Sequence, residues 1–463
     1  MNLRPGIDDN PADFMYLVRV NAPFDDREKM IAALRALQAV LDEKLAADRT
    51  FSLHQTPAGV REPRSVVRDW HLNLLVAFGL RFFLGPLGSP ARRTDQAIPN
   101  FPPGGTFKPR TPTRFGMSNR SVPMYLRTMS AAGDLDWIKS VLKEKNGGTA
   151  PSDEDANAAY NAFLAQGEAD LLLQIDCNND YLAIELLDAV RERVIDPFGL
   201  QIVNIQPGQS RRDGKAHIGF FDGTSNLQDM MRNDPVQYRA KIYLPVPSAG
   251  YPGQPGEIRD DPRYDGGTYL AYRKYLQNLH KWFSDDFTVT DYYGNTFKGA
   301  EGRLHAIGRD PESGLAISRM SQKPLNPEPD HTEINLGYNE GHALKARGGF
   351  TAPFSGPFPP APLGQFNVFN TQDIRIRRRG IAYSEVNQQT GTVDYGLLFI
   401  CFQNNIQQTG FEFINNIWLI NPDFRRSVDG LMNPVGEIVT PLEGSYWFVP
   451  PEQHSYSGDV FFE

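Results

Sequence analysis

The chain has 463 residues, enough for roughly two or three ordinary domains rather than one core. Its 47 Lys and Arg against 55 Asp and Glu give a net charge of −8, the wrong sign for a protein whose main partner is a nucleic acid. Hydrophobic residues at 40% and charged residues at 22% exclude global disorder, and two distant cysteines, Cys177 and Cys401, can neither staple such a chain nor build a zinc site.

Met1 to Asp13 lacks the apolar centre of a secretory signal. The most apolar stretch, Leu72 to Leu87, is broken by Gly79, Arg81 and Gly85-Pro86. A cytoplasmic location without a membrane span is therefore expected. Met15 to Ala22 alternates as a strand, and Asp25-Asp26 opens a helix to about Ala47 with Ile31, Leu34, Leu37, Val40 and Leu41 on one face. His71 to Phe78 is a second strand. Gly85 to Pro112 is rich in Pro, Gly and Arg and reads as a solvated loop. Asp170 to Asp176 is a strand, Tyr181 to Val194 a helix and Leu200 to Ile205 a strand, which completes the β-α-β-β-α-β order of a ferredoxin-like unit.

The second half repeats that order. Gly267 to Tyr272 is expected as a strand, Arg273 to Phe283 as a helix, Leu397 to Phe402 as a strand covered on both faces, and Phe411 to Leu419 as a helix carrying Trp418. Between them Ser284 to Ile376 is long, polar and full of Gly and Pro, which fits a segment that builds a site. The fold class is α+β: two ferredoxin-like antiparallel halves with peripheral helices, of dimeric α+β barrel type, divided at 1–206 and 207–463.

Three patterns could carry chemistry. In Gly219-Phe220-Phe221-Asp222-Gly223, glycines flank an acid, so the backbone can turn sharply and approach a flat ligand. Two phenylalanines around a carboxylate would raise its pKa toward proton-transfer work. A tight turn with an Asx bond is the commoner origin of such a pattern. In Arg375-Ile376-Arg377-Arg378-Arg379-Gly380, alternation sends Arg378 one way and the other three arginines the other, so one could point inward while its neighbours meet solvent. A solvated strand end explains the run equally simply. Of eight histidines, His280 lies in an apolar helix and reads as structural, whereas His331 and His342 sit in the Gly/Pro-rich segment within reach of a ligand.

Gly219 to Gly223 matches the GxxDG signature of the dye-decolorising peroxidases. Asp170 to Asp176, Gly267 to Gln277, Ala306-Ile307-Gly308-Arg309, Arg378 to Tyr383 and Leu397 to Trp418 follow in that family's order, so the resemblance covers nearly the whole chain. It implies a haem b, one per chain, in the C-terminal half, and oxidation of dyes, phenols or similar donors by hydrogen peroxide. Asp222 would be the distal acid–base. Arg378 would stabilise charge as the O–O bond breaks. Gly219, Phe220, Phe221 and Gly223 would lie against the haem, and Leu398 and Ile400 would wall the pocket. Electrons from bulky donors could pass through surface Tyr or Trp. Neither a nucleic acid nor a membrane is implied as partner, and homo-oligomerisation stays open.

The proximal side departs from the resemblance. The family's Cys-Pro segment before its histidine is absent. His342, in Gly-His-Ala-Leu-Lys, resembles the histidine-plus-basic core but precedes Arg378 by 378 − 342 = 36 residues, which needs an insertion. Alternatively Ala352-Pro353 replaces Cys-Pro and puts the ligand position near Pro357, which cannot bind iron; His331 is a third, weaker placement. Where the family has an acid before a proline near the C-terminus stands Asn433, with Asp429 nearby. The readings left are a haem peroxidase ligated by His342, or a protein of this fold that has lost haem ligation and acts in binding or structure.

Overall fold

The computed structural model describes residues 4, 6–8, 12–48, 72–89, 114–117, 121–123, 125–221, 227–245, 261–291, 293–315, 317, 340–347, 374–407, 409–421, 427–432, 434–452 and 455–462. The first half contributes β1 (Phe14–Asn21), α1 (Arg27–Asp48), β2 (Leu72–Gly79), α2 (Leu80–Leu84), α3 (Asp134–Lys145), α4 (Asp153–Gly167), β3 (Leu171–Cys177), α5 (Asp180–Val190), α6 (Asp196–Phe198) and β4 (Gln201–Gln209). The second contributes α7 (Gln228–Asn233), α8 (Pro235–Ile242), β5 (Thr268–Gln277), α9 (Leu279–Trp282), β6 (Thr288–Thr290), β7 (Thr296–Lys298), α10 (Gly299–Ile307), α11 (His342–Arg347), β8 (Arg377–Arg378), β9 (Ile381–Val386), β10 (Val393–Gln403), α12 (Phe411–Phe413) and β11 (Val439–Val449).

All strand pairs among the described residues are antiparallel. The first half has the order β4-β1-β3-β2; the second has β11-β5-β10, with β8 and β9 both against β10. These are the same ferredoxin-like order twice, joined where Phe78 and Gly79 of β2 meet Phe448 and Trp447 of β11. At the outer edges β4 returns against β9. Gly208 permits this approach: a Cβ there would lie 2.5 Å from Ile381 Cγ2. The sheets thus curl around a shared interior holding Met15, Leu17, Leu172, Tyr272, Ile381, Leu398, Ile400 and Trp447. On the outside, α1 and α5 cover the first sheet through Leu34, Leu37, Val40, Leu182 and Leu186. Strand β3 is buried at all seven positions because both its faces are covered.

Several expectations change. Arg273 to Gln277 continue β5 instead of starting a helix. The charges that looked like a helix surface are buried pairs on the two faces of one strand. Arg273 is held bidentately by Asp134 at 2.7 and 2.8 Å, and Lys274, inside the barrel, meets Glu385 at 2.7 Å. The helix shrinks to α9, whose His280 is exposed rather than part of a core. Strand β4 runs to Gln209, past the expected boundary at residue 206. Within 284–376, the described residues include β6, β7, α10 and α11. Helix α4, from the first half, packs on β11 of the second, where Gly167 faces Gly444. No helix among the described residues is long and apolar enough to cross a membrane.

Candidate active site

The pleat of the second sheet sorts its residues. Arg377 and Arg379 face the barrel interior and are fully buried. Arg377 donates to the carbonyls of Ile7 and Asp8, and Arg379 pairs with Asp176 at 2.6 Å. The alternation is as expected but its sense is reversed: the neighbours of Arg378 are buried, whereas Arg378 is half-buried on the outer face. Its cross-strand partner is Cys401. Burial pushes the Cys401 thiol up, so it is no thiolate donor.

Leu398 and Ile400 share the interior face with Phe402 and are wholly enclosed. The structure therefore does not place them on the side of Arg378. Leu397 and Phe399, one residue out of step, have that position, and both are half-buried. In a strand, a one-residue step moves a side chain to the other face.

On the outer face lies α11. His342 keeps 32% of its side chain exposed, while Asp429 is 0% exposed and 3.0 Å away, Nδ1 to Oδ2. Asp429 is itself fixed: Oδ1 accepts from the amides of Leu431 and Met432, each at 2.9 Å. With Nδ1–H donated to this carboxylate, Nε2 presents its lone pair, and among the described residues nothing hydrogen-bonds it. Lys345, one turn on, is buried and donates to the carbonyls of Ser427 and Asn421, strapping the Asp429 segment to α11. Asp429 was only the nearby alternative to Asn433 in the sequence; Asn433 and His331 lie outside the described residues, as does Pro357.

Half-buried apolar side chains edge two hydrophobic clusters of the second half. Ala346, Ile376 and Ile420 edge the cluster of Trp418 and Leu419, and Phe399 and Ile420 edge the cluster of Phe220, Trp282, Leu431 and Met432. An oriented imidazole with Nε2 left for a ligand, and apolar side chains that are incompletely covered, are of the kind that a flat, apolar macrocycle with one nitrogen ligand would need. No group of three or more His, Cys, Asp or Glu among the described residues could instead hold a bare metal ion.

The Gly219–Gly223 turn is described only as far as Phe221; Asp222 and Gly223 lie outside. Gly219 has φ +85°, as the glycine there requires. Phe220 packs against Trp282, with ring centroids 6.2 Å apart, while Phe221 covers Gly214, so the two rings diverge. His217, just before the turn, contacts the Tyr383 carbonyl at 3.0 Å, and burial lowers its pKa.

Residues 363–454 match the family model described as Dyp-type peroxidase, C-terminal. The chain is similar to a dye-decolorizing peroxidase of Exidia glandulosa, 24% identical over 58% of this chain and 61% of the relative. It is also similar to a deferrochelatase of Escherichia coli O157:H7, 23% identical over 64% of this chain and 57% of the relative. The matches thus span about three-fifths of each curated relative. In fold it is similar to DyP-type peroxidases from Streptomyces coelicolor (18% identical, TM-score 0.59, 100% of this chain and 96% of that one) and Cellulomonas bogoriensis (17%, 0.57, 99% and 96%). A variant from Rhodococcus jostii, solved in complex with heme, is 16% identical with a TM-score of 0.50, covering 97% of this chain and 95% of its own. The fold, two ferredoxin-like halves in one chain, is similar to that of these DyP-type peroxidases. The chain is thus similar to the DyP-type peroxidases, in sequence over residues 363–454 and in fold over nearly its whole length.

Proposed function

We propose that the chain is a haem-dependent peroxidase that reduces hydrogen peroxide and oxidises dyes, phenols or similar organic donors. The observation that carries this reading is the His342–Asp429 pair, a part-exposed imidazole oriented by a fully buried carboxylate. His342 would hold haem b, one per chain, with Ala346, Ile376, Phe399 and Ile420 against the macrocycle. When bound, the haem supplies the redox centre at which peroxide is reduced and donors are oxidised.

The remaining roles belong to the chain. Asp222 would move a proton from one oxygen of hydrogen peroxide to the other, so that the second can leave as water, with the two electrons for the O–O cleavage supplied by the haem when it is bound. Arg378, whose backbone is paired to β10 at Cys401, would offer a cation to the charge that develops as the O–O bond lengthens. Asp429 keeps His342 in one tautomer and raises its donor strength. Leu397 and Phe399 keep water from the reacting oxygens. The rival reading, a scaffold without haem, drew on Asn433 and the missing Cys-Pro segment; Asp429 supplies the carboxylate whose loss it needed.

The test is turnover. Hemin-reconstituted protein should bleach an anthraquinone dye or oxidise a phenol when peroxide is added, and Arg378→Leu should lower that rate by roughly 10²-fold or more while still binding hemin. A haem-loaded wild type that leaves both donors untouched refutes the assignment.

A further inference from the structure

A second buried acid–imidazole pair adjoins the first and is not used by the proposed chemistry. His305 on α10 is 2% exposed, Glu340 is 1% exposed, and Nδ1 lies 2.6 Å from Oε1. The His305 ring stacks on Phe297, with centroids 3.5 Å apart and planes at 15°. Enclosing two polar groups costs free energy, and an apolar pair of like volume would hold α10 against the turn before α11 at least as well. A polar pair in this place fixes one geometry, since a hydrogen bond is directional and apolar contact is not.

What it fixes is set by Glu340. This residue lies two positions before His342, and its carbonyl accepts from the Gly430 amide at 2.8 Å, next to Asp429. The end of α10 touches both segments: a Cβ on Gly308 would lie 3.4 Å from Gly341 Cα, and one on Gly430 would lie 3.0 Å from Ala306 Cα. Helix α10 is therefore the common platform of the strands of chain that carry His342 and Asp429, and His305–Glu340 pins it to them.

We propose that His305 and Glu340 are positioning residues that set the orientation of the His342 imidazole toward its ligand. The inference rests on the haem reading above. Apoprotein is titrated with hemin, and the iron–imidazole stretching band of the ferrous form is recorded, for wild type, E340L, E340Q and H305Q. In E340L the hemin dissociation constant should rise about tenfold, within the range seen for lost outer-shell partners, and the band should shift. E340Q, which keeps an acceptor in place, should return both toward wild type; a role in stability alone would move the melting temperature of the apoprotein and leave the band where it was. Should E340L fail to fold, H305Q reads the same quantities, with affinity about threefold weaker and a smaller shift of the band. Wild-type affinity with an unmoved band in the folded variants overturns the inference alone. A wild type that binds no hemin overturns the haem reading, and this inference with it.

Discussion

Asp429 gives the sharpest test of how the imidazole is held. Its two oxygens do different work: Oδ1 accepts from the Leu431 and Met432 amides, and Oδ2 meets His342 Nδ1 at 3.0 Å. Asp429→Ala strands both amides in a fully enclosed place, at about 1–3 kcal/mol each, so roughly 2–6 kcal/mol of stability should be lost. Asp429→Asn is more telling. Its carbonyl oxygen can keep both amides, so most of that stability should remain, but its NH₂ then faces His342. The imidazole must become the acceptor at Nδ1, which moves its proton to Nε2 and blocks the lone pair that iron needs. Hemin affinity should fall 10–100-fold, and the iron retained should be easier to reduce. Urea unfolding of the apoprotein, hemin titration and potentiometry separate the effects. An Asn variant with wild-type affinity and an unchanged potential would show that the 3.0 Å contact does not orient the ligand.

Other perturbations read other parts of the account. Asp222→Asn should slow the peroxide step by roughly 10²–10⁴-fold in stopped-flow at unchanged haem content; normal peroxide kinetics would remove Asp222 from the mechanism. Asp134→Ala leaves Arg273 buried and uncompensated, and should cost about 3–5 kcal/mol in urea unfolding, whereas a loss below about 1 kcal/mol would mean that water or another group takes over. Burial, opposed by Arg127 at 3.6 Å, lifts the Glu412 carboxyl from 4.5 to about 7. Because the folded value is raised, the stabilisation is complete below pH 4.5 and is lost as pH rises through about 7, some ~3 kcal/mol in all. Glu412→Gln should therefore gain stability over wild type on going from pH 4.5 to 8, and parallel pH profiles for the two proteins would contradict that.

The first sheet was legible because its local signals agree. The alternation at Met15 to Ala22, the helical stripe from Ile31 to Leu41 and the apolar run at Asp170 to Asp176 each have one simple outcome, and β1, α1 and β3 lie where those patterns put them. The second sheet misled at Arg273 and Lys274, because a charge in a doubly covered strand depends on partners 139 and 111 residues away in sequence, which no local window contains. Helices α3 and α4 did carry readable signals: Asp134 and Asp136 in a first turn, Lys143 and Lys145 in a last turn, and the Ser152 cap, which accepts from Asp155 at 3.0 Å. At the site, His342 could be singled out by its setting, but choosing Asp429 over Asn433 required knowing that the chain turns at Gly430 and returns two amides to one carboxylate. Which of Leu397, Leu398, Phe399 and Ile400 share the Arg378 face was not legible, because all four are apolar, so composition gives no parity and only the β10 pairing does.

The most direct measurement is an absorption spectrum of the purified protein after addition of hemin, taken for wild type and His342→Ala. A Soret band shifted and sharpened relative to free hemin in the wild type, and lost in the variant while the apoprotein stays folded, is the expected result. An identical bound-haem spectrum in both proteins, or none in either, would contradict iron ligation by His342.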